Sequence, residues 1–487
     1  MTITPIGLST NGNPVGFELN KLNRHGIIAG ATGTGKTVTM KVMTEQLLQV
    51  GVPVFLADIK GDIASISKPA TDDDKILKRA ADLGESNYQP QAFNVRLWDV
   101  FGTQGTPVRA SISDFGPLLL ARILGLNDAQ EGVLNVVFKI AEDRNLALVN
   151  LKDLQAMLKE VGDNNKEYTT TYGNVAVASV GAIQRSLLVL EQQGGEQIFG
   201  EPAINLNDFL AIDGANGIAN ILMAKQLFNS PRVYSTFLIY LLNKLFQILP
   251  EVGDPEKPKM VFFFDEAHLL FDSANQTFLD QVEQTVRLIR SKGVGVFFVT
   301  QNPADVPDKI LSQLGNRVQH NLNAYSQADM RGVKAAAESF RTNPKIKDIG
   351  KAITELETGQ ALVSFLDDSG KPEVVEIANI YPPESQIDAI NDAEINALAM
   401  SNPLDGQYRN PVNAQSAEEI IGGFDQQRKA DKDAAEQIKA DQKAEREAEK
   451  ARKKNPVNKY GNLVVNTTIR SLVYKGVNSV IKAFTRK

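Results

Sequence analysis

Short apolar runs, each followed by polar residues, alternate along the sequence with longer stretches in which apolar residues repeat every three or four positions. The short runs are typical of buried strands, and the longer pattern is typical of helices. Strands that are apolar throughout and alternate with helices favour a parallel sheet covered on both faces. We therefore predict an α/β fold with a mostly parallel sheet. The strand-like runs are GIIA at 26–29, VPVFLA at 52–57, GIANIL at 217–222, MVFFF at 260–264 and VGVFFV at 294–299.

A second pattern interrupts this core. Between residues 63 and 204, helical spacing of apolar residues dominates, and we predict a mostly helical insertion there. The core itself is expected to consist of residues 1–62 and 205–384. Its first 24 residues are expected to add an edge strand or to bring Arg24 towards a ligand, and a hairpin near its end is expected from the strand patterns at 360–366 and 374–377.

The composition changes after residue 384, and we predict a linker and a charged helix over 385–454. Residues 425–454 hold ten basic and eight acidic side chains, which is typical of either a solvated helix or a linker. Residues 455–487 hold six basic side chains and no acidic one, with the apolar residues on one half of a helical wheel. This amphipathic basic helix is expected to pack on its own assembly or to attach to a partner protein, an anionic membrane surface or nucleic acid.

The overall composition limits which kinds of functional site the protein can contain. The 487 residues carry a net charge of −6, so any contact with nucleic acid must be local. The absence of cysteine excludes disulfides, zinc ribbons and thiol catalysis, and three histidines are too few for a histidine metal site. The sequence has no apolar run of about 18 residues and no leader pattern, so we expect a cytoplasmic protein.

The sequence GATGTGKT at 30–37 matches the phosphate-binding loop, with a strand pattern before it and a helix pattern after it. Glycines let consecutive backbone N–H groups point at phosphate oxygens. Lys36 is expected to neutralise the β- and γ-phosphates and Thr37 to bind Mg²⁺. A glycine-rich turn that matches by chance is the alternative. The predicted nucleotide-binding residues are Gly30, Ala31, Thr32, Gly33, Thr34, Gly35, Lys36 and Thr37.

Polar residues at three other strand ends complete the predicted site, because open α/β sheets keep their chemistry there. Asp265 is expected to hold the Mg²⁺ shell and Glu266 to orient and polarise the attacking water. The alternative for both is a core strand with an acidic helix cap. Gln301 could sense the γ-phosphate. Asp58 is a candidate for nucleotide binding, with a turn or helix cap as the alternative.

These motifs together resemble the HerA/FtsK superfamily of ring ATPases, and the sequence is most similar to the HerA-like proteins of the YjgR type. The similarity covers residues 5 to 385. It rests on Arg24-His25, GATGTGKT, DIKGD at 58–62, FFFDEAH at 262–268, RLIRSKG at 287–293, VTQNP at 299–303, and the longer segments SVGAIQRSLLVLEQQGGEQIFGEP and LSQLGNRVQH.

The resemblance implies a RecA-like core, a homohexamer, and ATP hydrolysis coupled to DNA translocation. In such rings an arginine from the neighbouring subunit stabilises the transition state. Family position suggests Arg290, followed by Arg24 and Arg317, whereas a surface arginine is the alternative for each. Lys292 and Arg109 are candidate DNA contacts inside the ring.

Two departures from the family pattern matter. HerA carries a β-barrel ahead of the phosphate loop, and 29 residues cannot hold one, which argues against a HerA-type nuclease partner. The tail after 385 also lies outside the similarity. Two other functions stay open: an ATP-driven switch or assembly factor that acts without DNA, and a motor for protein or secretion substrates.

Overall fold

The fold was analysed in a computed structural model that describes residues 3–71, 74–86, 88–271, 276–412 and 415–454. Strands and helices alternate along most of this part of the chain. The strands are β1 Thr4–Ser9, β2 Pro14–Phe17, β3 Gly26–Ala29, β4 Val54–Asp58, β5 Val95–Asp99, β6 Thr106–Pro107, β7 Ile212–Asp213, β8 Asn216–Gly217, β9 Ala219–Met223, β10 Met260–Phe264, β11 Val294–Thr300, β12 Asn316–Gln319, β13 Gln360–Ser364 and β14 Glu376–Ile380.

The helices follow the same order. They are α1 Lys36–Gln49, α2 Asp74–Asp82, α3 Ile112–Leu124, α4 Asp128–Asp143, α5 Leu151–Asp163, α6 Asn165–Tyr172, α7 Val177–Gln192, α8 Pro231–Ile248, α9 His268–Phe271, α10 Gln276–Ile289, α11 Asp308–Leu311, α12 Gln327–Glu338, α13 Ile349–Glu355, α14 Asp392–Met400, α15 Asp405–Tyr408 and α16 Ala417–Lys454.

One sheet of 12 strands organises the molecule, in the order β2-β1-β14-β13-β12-β3-β11-β10-β4-β9-β5-β6. The strands from β12 to β6 are parallel to their neighbours, whereas β13, β14, β1 and β2 pair antiparallel. The predicted mostly parallel α/β core is therefore confirmed. The predicted edge strand and the β13–β14 hairpin are also present.

The central strands are buried on both faces, which explains their uninterrupted apolar sequences. On one face, α1 contributes Met40, Met43 and Leu47 to a core shared with β4, β10 and β11. On the other face, the rings of Phe264 and Phe298 lie 5.9 Å apart, and α8 packs against α10. This packing fixes the ends of the strands relative to one another.

The predicted start of the helical insertion, residue 63, is too early. Strand β5 pairs with β9 inside the main sheet, and β6 extends the edge beyond it. One short helix, α2, precedes β5, and the continuous helical region begins only at Ile112 and consists of α3 to α7. Among the described helices, no single one is both long and apolar enough to cross a bilayer, while the bent pair α6 and α7 passes that test by length and composition alone.

The predicted linker is also partly core. Helix α14 packs against β5, its residues Ile395 and Ala399 are buried in the main core, and the side chain of Tyr408 is fully buried. The described residues up to Glu419 form one compact unit, and the described residues from Ile420 onwards belong to a second. The charged run 425–454 is helical, and its side chains are exposed from 425 to 450 except for the half-buried Arg428. The predicted amphipathic helix 455–487 lies outside the described residues.

Candidate active site

Four neighbouring parallel strands end at one edge of the sheet. Phe264 of β10 pairs with Ala57 of β4 and with Phe298 of β11, and Thr300 of β11 pairs with Ala29 of β3. Because the strands are in register, the residues that follow them meet at this carboxyl edge. The edge therefore collects the glycine-rich loop after β3, the loop after β4, and the polar residues after β10 and β11.

The glycine-rich loop passes directly into α1. Gly35 precedes the helix with φ of 114°, a conformation that glycine adopts without the strain of other residues, and no side chain caps the first turn. A Cβ on Gly30 would lie 2.5 Å from the Cβ of His320, so only glycine fits there. The Lys36 ammonium donates to the carbonyls of Gly30 and Ala31 at 2.5 and 3.0 Å. The uncapped N–H groups and this lysine form a cradle for an anion.

Asp265 follows β10 and is only 3% exposed. Its Oδ2 is buried and has no hydrogen-bond partner among the described residues. Burial is the main cause that raises the pKa of Asp265 to about 7; Lys60 opposes that shift, while Glu266 and Asp58 add to it. A buried carboxylate oxygen without a partner is costly and fits a cation ligand. Together with the hydroxyl of Thr37 in the first turn of α1, it offers the oxygen donors that Mg²⁺ prefers.

Glu266 has a left-handed backbone, with φ of 48°, and its side chain is 5% exposed. Lys60 contacts its Oε1 at 2.6 Å, and Gln301 and His268 contact its Oε2 at 3.3 Å each. Burial raises the pKa of Glu266, but the hydrogen bond and charge of Lys60, helped by Gln301 and His268, outweigh it and lower the pKa. The carboxylate is therefore held ionised at the edge of the sheet.

A polar cavity of about 510 Å³ opens beside these groups. Its lining includes Ala31 and Thr32 of the loop, together with His268 and Gln301. The cavity therefore connects the anion cradle with the side chains that hold Glu266, and it has room for a phosphate and a water molecule. Predicted residues Lys36, Thr37, Asp265, Glu266 and Gln301 all lie at this one edge.

The structure favours the turn alternative for Asp58. Its side chain is fully buried, and its two oxygens accept the N–H groups of Gly61 and Ile63 at 2.7 and 3.0 Å. Burial is the main cause that raises its pKa to about 6. Because both oxygens are used within its own loop, these contacts support the turn, and direct binding of the nucleotide by Asp58 stays a prediction.

Two of the three candidate finger arginines, Arg24 and Arg290, lie at the opposite edge. Arg24 precedes β3, whose four residues span roughly 13 Å, and it bonds Asp254 at 2.8 Å. Arg290 precedes β11 and contacts the same carboxylate at 3.6 Å, with 43% of its side chain exposed. Arg24 therefore does not lie beside its own subunit's phosphate loop. A role in a neighbouring subunit stays a prediction for both.

The candidate DNA contacts are engaged within the chain. Lys292 is 11% exposed, pairs with Glu251 at 3.0 Å and lies over the ring of Phe246. Arg109 donates to the carbonyl of Tyr408 at 2.9 Å. Arg317, the remaining finger candidate, donates to the carbonyl of Leu311. These intrachain contacts do not support a role in DNA binding, and DNA contact by Lys292 and Arg109 stays a prediction.

Sequence reasoning missed two supporting residues. Lys60 lies in the DIKGD loop, but its contact with Glu266 depends on β4 being the sheet neighbour of β10. His320 lies under the phosphate loop, where its two ring nitrogens contact Thr39 Oγ1 and the carbonyl of Gln360 at 2.8 and 2.9 Å. Both residues lie in segments that carry the family resemblance, DIKGD and LSQLGNRVQH, but neither segment indicated what the residue contacts.

Comparison with known proteins agrees with this geometry. Residues 5–487 match the model of a family described as Helicase HerA-like C-terminal. The chain is 20% identical over 370 residues to the DNA double-strand break repair helicase HerA of Sulfolobus acidocaldarius and 21% identical over 364 residues to that of Sulfurisphaera tokodaii. Each alignment covers 72% of this chain and 64% of the relative, so the chain spans less than two thirds of these relatives.

Solved structures support the fold. The unbound bacterial conjugative coupling protein TrwBdeltaN70 matches with a TM-score of 0.54 and 14% identity, over 80% of this chain and 91% of that one. The plasmid coupling protein TrwB in complex with ADP and Mg²⁺ also matches with a TM-score of 0.54 and 14% identity, over 81% and 92%. The RecA-like P-loop fold implied by the sequence resemblance is thus confirmed, and because the family match extends over nearly the whole chain, this protein belongs to the HerA-like helicase C-terminal family.

Proposed function

We propose that this protein hydrolyses ATP with Mg²⁺ and works as a ring motor that translocates on or remodels DNA. One observation carries the ATPase part: a buried, unpartnered oxygen of Asp265 and the ionised Glu266 follow β10 beside an uncapped phosphate loop. The named relatives support a DNA substrate, and the coupling protein bound to ADP and Mg²⁺ supports the cofactors.

Different residues of the site have different roles in this reaction. The N–H groups at the start of α1 bind phosphate oxygens, and Lys36 turns from the loop carbonyls to the β- and γ-phosphates. Thr37 and Asp265 would hold Mg²⁺, which neutralises charge on the phosphates when bound. Glu266 orients and polarises the attacking water, and Gln301, which lines the cavity and contacts that carboxylate, would sense the γ-phosphate.

Assembly, location and attachment belong to the same proposal. We place the protein in the cytoplasm as a homohexamer whose neighbouring subunits complete each ATP site. Residues 455–487 would attach the ring to a partner or an anionic surface, because they carry six basic and no acidic side chains.

ATP turnover with and without DNA tests the DNA part. We expect single- or double-stranded DNA to raise turnover of the full-length wild type severalfold and to leave Glu266→Gln inactive. Turnover that DNA does not change would contradict translocation and favour the ATP-driven switch or the motor for protein substrates.

Mixed rings test the shared site. Arg290→Ala should reduce hydrolysis on the order of 10³-fold or more while sparing ATP binding, because a finger arginine acts on the bound phosphate from a neighbouring subunit. Mixing it with Lys36→Ala subunits should restore part of the activity. No recovery in rings shown to be mixed would place Arg290 outside the shared site.

A further inference from the structure

The contact between Lys60 and Glu266 is the strongest one that the predicted catalytic carboxylate makes. The ammonium lies 2.6 Å from Oε1, whereas the contacts from Gln301 and His268 are 3.3 Å or longer. A short bond between opposite charges is stronger than a long bond to a neutral amide. Lys60 therefore dominates the position and charge of Glu266 in this structure.

The backbone around Lys60 is fixed, but its side chain is not enclosed. Asp58 anchors the loop through the N–H groups of Gly61 and Ile63, and Ile63 is fully buried in the core. The Lys60 side chain is 37% exposed. Lysine has a flexible four-carbon stem, so the ammonium can leave Glu266 by rotation of the side chain without movement of the loop.

This pairing opposes the role proposed for Glu266. A glutamate that polarises water must offer a free oxygen to one of the water's protons, and a bound ammonium both occupies an oxygen and neutralises its charge. We propose that Lys60 is a positioning residue that holds Glu266 in a resting arrangement and slows hydrolysis until the ammonium rotates away. The proposal rests on the proposed ATPase function.

Bound nucleotide would favour release of the Lys60 ammonium from Glu266. Lys36, which cradles the phosphates, lies close enough to Lys60 for the charge of one to act on the other. The phosphates would therefore attract the Lys60 ammonium in competition with Glu266. An ion pair that is partly open to solvent is weak, so this competition can break it.

Hydrolysis by Lys60 variants tests the restraint. Lys60→Met keeps most of the stem and removes the charge, so kcat without DNA should rise roughly threefold, the size expected for a partly exposed ion pair. KM for ATP should change little, and Lys60→Arg should behave like the wild type. Lys68→Met is the matched control, because Lys68 is 38% exposed and also pairs with a glutamate, Glu394. A fall in kcat for Lys60→Met, or no change, would overturn the proposal.

Chemical labelling tests the same pair without hydrolysis. In the nucleotide-free full-length protein, acetic anhydride should modify the Lys60 amine severalfold faster in Glu266→Gln than in the wild type, while Lys68 reacts equally in both. Equal rates at Lys60 would show that the ion pair does not form, and would overturn the proposal. If the wild type hydrolyses no ATP, the proposed function fails, but this labelling result still decides whether Lys60 holds Glu266.

Discussion

Three helices of the helical region begin differently from the helix that follows the phosphate loop. Helices α3, α4 and α5 each begin with a capping box, formed by Ser111 with Asp114, Asn127 with Gln130, and Asn150 with Asp153. In each box, two side chains satisfy backbone N–H groups that the helix leaves open. Helix α1 follows Gly35 and has no side-chain cap. Its open N–H groups are left for an anion.

Buried carboxylates differ in the same way. Asp153 in the helical region is fully buried, and it accepts the N–H groups of Val149, Asn150 and Glu418. Asp265 is almost as buried, yet one of its oxygens has no partner. At these three helix starts and at Asp153, the protein's own groups satisfy the local rules of capping and hydrogen bonding. At the start of α1 and at Asp265 they do not, and a ligand is expected to complete them.

Substituting the two aspartates should separate these roles. Asp265→Asn should lower ATP turnover by about 10²-fold or more, because a proposed Mg²⁺ ligand is lost. Asp153→Asn should leave turnover unchanged and lower the free energy of unfolding by about 1–3 kcal/mol, because it weakens a buried hydrogen-bond acceptor. Steady-state kinetics and urea denaturation of both variants check this. Equal losses of turnover would contradict the contrast.

In the absence of nucleotide, Asp265→Asn should stabilise the protein, whereas Asp153→Asn should destabilise it. Because the folded pKa of Asp265 is about 7, above its ordinary value of 3.8, its charge costs stability increasingly as the pH rises from about 4 through 7. Asp265→Asn should therefore raise the melting temperature at pH 8 and give no gain near pH 4. A lower melting temperature at pH 8 in Mg²⁺-free buffer would show that the wild-type carboxylate has a partner there.

Substitution of His320 should have a smaller effect on the pH dependence of stability, and the direction of that effect follows from its pKa. Burial lowers its pKa from 6.5 to about 4, so the unfolded chain binds a proton first as the pH falls. The stability that neutral His320 contributes is fully present above about pH 6.5 and is lost as the pH falls from about 6.5 to 4. Between pH 7.5 and 5.5, His320→Gln should lose about 1.4 kcal/mol less unfolding free energy than the wild type. Parallel pH profiles from urea denaturation would contradict this.

Local patterns predicted much of the site. The loop at 30–37 and the strand ending in Asp265 and Glu266 are continuous in sequence, so their type and chemistry could be inferred together. Strand β5 was missed because its five residues include Arg96 and Asp99, which interrupt the apolar run. Its place in the sheet depends on pairing with β9, which is distant in sequence.

Contacts between elements could not be predicted in this way. Arg24 is close to the phosphate loop in sequence, but the extended strand β3 places it at the other edge of the sheet. Lys60 reaches Glu266 only because β4 and β10 are neighbours. The burial of α14 likewise depends on packing against β5, and the sequence pattern of a short helix does not show this.

ATP binding and turnover of Glu266→Gln and Lys36→Ala, measured side by side, test the central claim that this edge of the sheet is an ATP hydrolysis site. Glu266→Gln should bind ATP with near wild-type affinity and lose turnover on the order of 10²-fold or more, because the cradle stays intact while the group that polarises water is lost. Lys36→Ala should lose both, because it removes charge from the cradle. Wild-type turnover in Glu266→Gln would contradict the assignment of the catalytic carboxylate and, with it, the proposed mechanism.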